Sequence, residues 1–428
     1  MASTVTAQGA RPGKPRARDV AALALLSGIV GLNTVDRNMF GLLLPQIQRD
    51  IPMSDTELGF LMGPAFVIVY SIAGIPIAWL ADRTGRRNIV AAGLAFWSLV
   101  TAATGYAASM MQLMAARMAL GVGEASNMAP TSALIGDMFR GRSRVMAMAA
   151  FSAGGPLAIM LFYPLIGWIS VQHGWRPAYP VMGAIGLVVA LLTLLVVREP
   201  AREGGGEGNA DQPSFSRSWL AALRSRPFVL LCAGGTMVSL NYSALLAWLP
   251  AFMLRVHGLD AAATGALLGT YKGMLGVVAT FAFGLGVTLL MRADRRWLAW
   301  APALACLMMV PAQMLLLLAD NPVWWHVGLA AETVLISGIT PCLFALLVTL
   351  LDPRMRATGA ALYLLIFNLV GQSAGPLAIG ALNDGPLATL GDEAVRYSLL
   401  AAPAAILLGA VLLLVLSRTI GNPAHEEE

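Results

Sequence analysis

Charge is scarce in this chain. Only 12% of its 428 residues are Asp, Glu, Lys or Arg, where a soluble domain carries roughly a quarter. A folded monomer of this composition lacks the polar surface to dissolve in water. Lysine occurs twice, as Lys14 and Lys272, and cysteine three times. Cys232, Cys306 and Cys342 lie in apolar runs with no CxxC or metal-ligand spacing, so they read as small core hydrophobes and leave the redox compartment undetermined. The four histidines (His173, His257, His326, His425) fall in loops, at the ends of apolar runs or in the tail, which argues against a histidine proton relay. HExxH, GxSxG and Walker patterns are missing, and the GVG and GLG triplets lie in apolar runs rather than after a strand. No metal or cofactor is expected, and an intramembrane enzyme is disfavoured. A receptor would need no set of buried titratable groups.

Apolar length fills the space that charge leaves. Hydrophobic residues make up 57% of the chain and the mean hydropathy is +0.71. Runs of about 20 apolar residues, enough to cross roughly 30 Å of hydrocarbon, recur throughout. We read twelve spans: 20–45, 56–80, 88–107, 109–138, 145–170, 177–197, 227–254, 261–290, 296–318, 323–350, 357–382 and 395–417. The first is too long and too polar at its middle for a cleaved signal peptide. The widest polar interval, Arg198 to Pro227, holds a Gly run (Gly204 to Gly206) and mixed charge, as a flexible linker with a short surface helix near Ser218 to Leu223 would. The expected organisation is a tail (1–19), a six-span half (20–198), a linker (199–226), a second six-span half (227–418) and a tail (419–428).

The basic residues set the orientation. With the N-terminus in the cytoplasm, 21 of the 28 lie on that side, four (Arg49, Arg176, Arg255, Arg396) on the other, and three inside spans. The positive-inside rule thus puts both termini in the cytoplasm, in a bacterial-type inner membrane. The net charge of +5 is absorbed by the anionic leaflet and needs no nucleic-acid partner.

The two halves resemble each other. The fifth span carries SAGGPLAI (Ser152 to Ile159) and the eleventh SAGPLAI (Ser373 to Ile379). RSR (Arg142 to Arg144) and RMR (Arg354 to Arg356) precede them, and RADRR (Arg292 to Arg296) echoes ADRTGRR (Ala81 to Arg87). Matches six spans apart indicate a parallel repeat, a transporter architecture with its substrate site between the halves. Gly155–Pro156 and Gly375–Pro376 are expected kinks or close-packing points that help the halves rock.

LADRTGRR (Leu80 to Arg87) joins the second and third spans. Gly85 suits a tight turn at positive φ. Asp82 can accept hydrogen bonds from nearby donors, while Arg83, Arg86 and Arg87 sit among lipid phosphates and helix ends. The bland alternative is an ordinary positive-inside loop. This stretch resembles the signature loop of the major facilitator superfamily, with Ala78 where that pattern usually has Gly. Arg-x-x-x-Gly-x-Gly, met here by Arg117, Gly121 and Gly123, is a second signature. NTVDR (Asn33 to Arg37), RMALGVGEASNMAPTSALIGDMF (Arg117 to Phe139), GWR (Gly174 to Arg176) and the REP that closes the sixth span are similar to the Spinster-like branch. Organic-anion symporters share Gly-Glu-Ala and Asp-Arg. The resemblance covers nearly the whole chain. It implies an all-α membrane protein with twelve transmembrane helices in two six-helix halves, and an amphiphilic substrate such as a lysophospholipid or sphingosine-phosphate-like lipid.

Six ionisable residues lie deep inside spans: Asp36, Arg37, Arg117, Glu124, Lys272 and Glu332. Each costs about 2.5–3.5 kcal/mol at a bilayer centre, so they should face the bundle interior. Arg117 and Glu124, seven apart, share a helix face. Asp36 and Arg37 diverge by about 100°, so one faces the cavity and the other a neighbouring helix, and spacing leaves open which. Asn33 and Phe40 flank Asp36. A carboxylate held between desolvation and a nearby arginine can bind and release a proton as the cavity changes sides, which makes Asp36 and Glu124 the candidate coupling acids. The resemblance implies the same roles for them, and a headgroup contact for Arg117. A permanent structural ion-pair network is the alternative.

Lys272 suits a titrating cation or one that snorkels, and Glu332 is its candidate partner. Asn241, Tyr242, Trp248, Tyr271, Tyr363, Asn368 and Gln372 supply further candidate cavity lining, although helix packing accounts for many such residues. The reading that follows is a monomeric, proton-coupled transporter working by alternating access in contact with membrane lipids. Its substrate is an amphiphilic anionic lipid or, alternatively, a small organic anion such as a carboxylate.

Overall fold

The structure is a computed structural model that describes residues 17–139, 142–199, 223–292, 294, 296–351 and 356–419. The side chain of Asp82 and the helix expected near Ser218 to Leu223, up to residue 222, lie outside the described residues. Every regular element among them is helical. The first half comprises α1 (Ala17–Asp50), α2 (Asp55–Met62), α3 (Pro64–Arg83), α4 (Arg86–Thr104), α5 (Met110–Glu124), α6 (Met128–Met138), α7 (Arg142–His173) and α8 (Ala178–Val196). The second comprises α9 (Arg226–Arg255), α10 (Ala261–Leu268), a π-helical stretch Gly269–Leu275, α11 (Gly276–Leu290), α12 (Trp297–Leu318), α13 (Pro322–Leu350), α14 (Arg356–Ile366), a π-helical stretch Phe367–Gln372, α15 (Ser373–Asp384), α16 (Ala394–Ser398) and α17 (Ala401–Ser417).

Taken with their interruptions these elements form twelve spans. Ten are long and apolar enough by themselves to cross a membrane. The remaining two are α4, which opens on Arg86, Arg87 and Asn88, and the α5–α6 span, which is broken at Ala125 to Asn127. Spans two, four, eight and eleven are each interrupted, at Gly63, Ala125 to Asn127, Gly269–Leu275 and Phe367–Gln372. Irregular backbone is tolerated in a membrane only where protein or a water-filled cavity satisfies it.

The repeat seen in the sequence reappears in the packing. Within the halves, α7 packs along α1 as α15 packs along α9; across them, α2 meets α15 and α7 meets α10. Each contact maps onto the other by a shift of six spans. Glycine lets the backbones touch. A Cβ on Gly154 would stand 2.1 Å from the Ser27 carbonyl oxygen, and one on Gly375 2.2 Å from Ser243 Oγ and 2.7 Å from the Leu240 carbonyl oxygen. The seams between halves are built alike, with Gly59 against Pro376 and Gly167 against Ala261.

Among the described residues those seams lie on one side. On the face opposite the basic loops a continuous apolar core runs from α1 and α7 into Trp248, Phe252, Leu316 and Leu399 of the second half. Toward the basic loops the second half keeps a separate core around Phe228, Cys306, Leu343 and Leu413. Polar bonds bolt the closed face. Arg255 grips both Asp55 oxygens at 2.5 and 2.7 Å and reaches Gln48 at 3.0 Å. The Asn383 amide donates to Asp55 at 2.8 Å. The backbone N–H groups of Asp55 and Thr56, exposed at the start of α2, donate to the Asp384 carboxylate at 3.1 and 2.6 Å, as a helix N-terminus favours.

Candidate functional site

A cavity of about 400 Å³ lies between the halves. From α1 it takes Asn33, Arg37 and Asn38; from α3, Phe66 and Tyr70; from α5, Arg117. The second half contributes Tyr242, Ser243, Phe344, Phe367, Asn368 and Gln372. Span breaks place several of these residues: Gly63 turns α2 into α3 just before Phe66, and a π-helical stretch carries Phe367, Asn368 and Gln372. Gly121 and Gly123 draw α5 close, since a Cβ on Gly121 would lie 2.8 Å from the Phe66 carbonyl oxygen and one on Gly123 2.7 Å from Trp97 Cβ.

Arg37 is the more exposed of the two arginines that line the cavity. Its guanidinium lies 4.6 Å from the Phe66 ring and 4.5 Å from the Tyr70 ring, and its Nε donates to Glu124 Oε2 at 3.0 Å. The Asn33 amide donates to the same oxygen at 2.8 Å. Glu124 is fully buried and its second oxygen has no partner. It ends α5 where the span breaks, with Ser126 Oγ turning back to the Gly123 carbonyl at 2.7 Å.

Asp36 points the other way, into the first half. Thr101 Oγ1 donates to its Oδ2 at 3.3 Å. Arg117 lies between the two acids, its Nη1 donating to the Arg37 carbonyl at 3.3 Å and its guanidinium 4.4 Å from the Phe40 ring. The structure thus separates the adjacent pair: Arg37 faces the cavity and Asp36 the neighbouring helices α4, α5 and α8. Asn33 and Phe40 part company as well, Asn33 lining the cavity and Phe40 lying under Arg117.

Other residues singled out in the sequence are not among those lining this cavity. The buried Asn241 donates to Gln313 at 2.9 Å and to the Ala402 carbonyl at 2.8 Å, tying α9 to α12 and α17. Trp248 donates to the Pro376 carbonyl at 2.9 Å beneath Arg255, within the closed face. Tyr271 OH shares a 3.0 Å hydrogen bond with His326. Lys272 and Glu332 are ion-paired with each other, and neither lines the cavity. Tyr363 is buried between Phe344 and Phe367. Phe66 and Tyr70 are absent from the sequence reading. Their signal is a pair of aromatics four apart on the second span, which apolar composition hides.

At the basic-loop face, Gly85 corrects an expectation. Its φ is −168°, extended backbone open to any residue, rather than a positive-φ turn. It precedes α4 directly, and the exposed Arg86 and Arg87 amides donate to Glu199 at 2.9 and 2.8 Å. Arg86 also reaches Asp137 at 2.5 Å, and the Arg83 guanidinium lies 3.9 Å from the Trp79 ring.

Two six-span halves around a central cavity, with buried acids and arginines on its first-half side, match known proteins over nearly the whole chain. Residues 26–376 match the Major Facilitator Superfamily. An MFS-type efflux pump of Mycolicibacterium smegmatis is 31% identical over 91% of both chains. Human protein spinster homolog 1 is 28% identical over 86% of this chain and 73% of its own. A crystal structure of a bacterial homolog of the human lysosomal transporter Spinster, inward-facing and unoccupied, superposes with a TM-score of 0.80 at 25% identity, covering 95% of this chain and 98% of that one. The membrane-spanning repeat, the paired signatures and this relatedness lead to one assignment: the chain belongs to the major facilitator superfamily, as a Spinster-like transporter rather than an enzyme.

Proposed function

We propose that the chain is a proton-coupled transporter of an amphiphilic anion, with 20–198 and 227–418 as the two bodies that rock about the cavity. One observation carries the reading: Arg37, the more exposed of the cavity's two arginines, is held by the acid Glu124. An anionic headgroup entering over Phe66 and Tyr70 competes with Glu124 for Arg37. The released carboxylate, fully buried, then takes up a proton instead of bearing an unpaired charge. Asp36 is connected to the same switch through Arg117, which packs against the Arg37 backbone. Asn33, Tyr242 and Asn368 offer polar contacts to a headgroup, while Met62, Val67, Leu246 and Phe344 offer an apolar wall to a chain.

The basic-loop face is cytoplasmic in this reading, so the Arg255–Asp55 face is the outer one and the state is closed outward. A second reading, transport of a small organic acid, draws on a cavity whose volume suits a compact ligand as well. It also draws on a probable L-galactonate transporter of Escherichia coli, 29% identical over 57% of this chain and 56% of its own.

The test is proteoliposome flux with a pH-sensitive dye inside, comparing lysophospholipids with small carboxylates. Substrate-dependent proton movement should vanish with Glu124→Gln or Asp36→Asn while substrate binding persists. Full pH-driven flux in both variants would sink the coupling assignment and leave the fold untouched. Transport of carboxylates alone would select the second reading.

A further inference from the structure

Beside the central cavity lies a second, much smaller chamber, inside the first half. It holds about 10 Å³ and is lined by Asp36, Phe40, Thr101, Thr104, Arg117 and Tyr179 among others. Of these, Arg117 is the one residue that also lines the central cavity. Three polar atoms of the lining have no hydrogen-bond partner although each belongs to a deeply buried side chain: Asp36 Oδ1, Arg117 Nη2 and the Tyr179 hydroxyl. Leaving such groups unpaired in an apolar interior costs about 1–3 kcal/mol each. A single water needs roughly 10–15 Å³ and two to four polar partners. The chamber offers that space and three such partners, one acceptor, one donor and one that can be either.

We propose that this chamber is a water site, separate from the substrate cavity, through which Asp36 exchanges its proton, and that Tyr179 is its positioning residue. The water accepts from Arg117 Nη2 and from the Tyr179 hydroxyl and donates to Asp36 Oδ1. Protonated, Asp36 donates its O–H to the water oxygen and the Tyr179 hydroxyl turns to accept from the water. On ionisation that O–H bond breaks, the water oxygen takes the proton and hands one of its own to a bulk water entering the chamber, and the reverse sequence returns it. Of the elements packed around Asp36, α5 presents Arg117 and Glu124 to it, α8 presents Tyr179, and α4 presents only the uncharged Trp97 and Thr101. Substrate on Arg37 and the proton on Asp36 then communicate through Arg117, the wall between the two chambers.

This inference rests on Asp36 being the acid that exchanges protons, so it is tested without substrate. The pH titration of Asp36 is followed on the full chain in nanodiscs by infrared difference spectroscopy, with the carboxyl band assigned by its loss in Asp36→Asn. Tyr179→Phe keeps the ring and removes the hydroxyl, which weakens support for the carboxylate. The midpoint should rise by about half to one pH unit, the worth of one hydrogen bond. Ala116→Val, which adds methyl groups at the chamber wall and leaves Tyr179 intact, should raise it likewise. Affinity for a lysophospholipid probe, read by thermal shift, should stay within about twofold in both, because neither position lines the central cavity. A midpoint unmoved in whichever variant folds overturns the water site. An Asp36 band that does not titrate in the parent overturns the coupling reading as well.

Discussion

Arg255 and Asp55, 200 positions apart, are joined by two hydrogen bonds of 2.5 and 2.7 Å that close one face of the transporter. Both side chains are largely buried, and Asp55 is gripped further by Asn383. Such a fork demands guanidinium geometry, which a lysine ammonium cannot reproduce.

Breaking this clasp should therefore favour the state open on that face. In Asp55→Asn, a cysteine placed at Asn38 in the cavity should react about tenfold faster with an impermeant thiol reagent added from the Arg255 side, a shift of about 1.4 kcal/mol. The three native cysteines are buried, so background labelling is low. Equal rates in parent and variant would show that the glycine seams alone hold the face shut.

Arg37→Lys tests the stacked cation. The charge survives, but the planar contact with Phe66 and Tyr70 and the directed bond to Glu124 do not. A cation–π contact contributes about 0.5–2 kcal/mol, so substrate KM should rise about 2- to 30-fold with a smaller change in maximal rate. Uptake kinetics at fixed pH would check it. A loss confined to maximal rate would move Arg37 from substrate binding to the coupling step.

The glycine seams make a stability prediction. Gly154→Val puts a side chain into the Ser27 carbonyl, backbone that cannot step aside, and should lower stability by several kcal/mol or prevent folding. Gly74→Ala is the control. A Cβ there meets nothing within 4 Å, so thermal unfolding should stay within a few degrees of the parent. Comparable losses in both would refute the close-packing account.

What the sequence makes legible is what depends on period, length and charge. Apolar length marks the spans, arginine asymmetry orders their ends, and SAGGPLAI with SAGPLAI marks helices that do equivalent packing. Asp36, Arg37, Arg117 and Glu124 stand out because charge inside hydrocarbon is costly wherever it occurs. Direction is less legible. A step of about 100° separates Asp36 from Arg37, yet only the packing of α1 against α7, α8 and α9 fixes which of them meets the cavity. Asn241, Trp248 and Tyr363 look like cavity lining on composition and turn out to brace helices, since a polar group satisfied by a neighbour reads the same in sequence as one awaiting substrate. Phe66 and Tyr70 fail in the opposite sense. Aromatics are ordinary in a membrane span, and only the arginine over the rings sets these two apart. Gly85 illustrates a third limit, because a glycine before a helix need not adopt the φ that only glycine can.

Lys272 and Glu332 pose the last test, because their pairing separates a structural ion pair from a substrate contact. Glu332 is fully buried and Lys272 nearly so, and neither lines the central cavity. Removing one partner strands a charge in an apolar wall, a cost of about 3–5 kcal/mol, whereas removing both with apolar side chains of similar volume is often neutral. Glu332→Gln should thus lower the thermal unfolding temperature sharply and Lys272→Met/Glu332→Met should recover most of it. Recovered transport in the double variant would mark the pair as a brace for α13 and the π-helical stretch before α11. Restored stability without transport would instead place the pair in the transport cycle, opening when Tyr242, which lies near Glu332 and lines the cavity, meets its ligand.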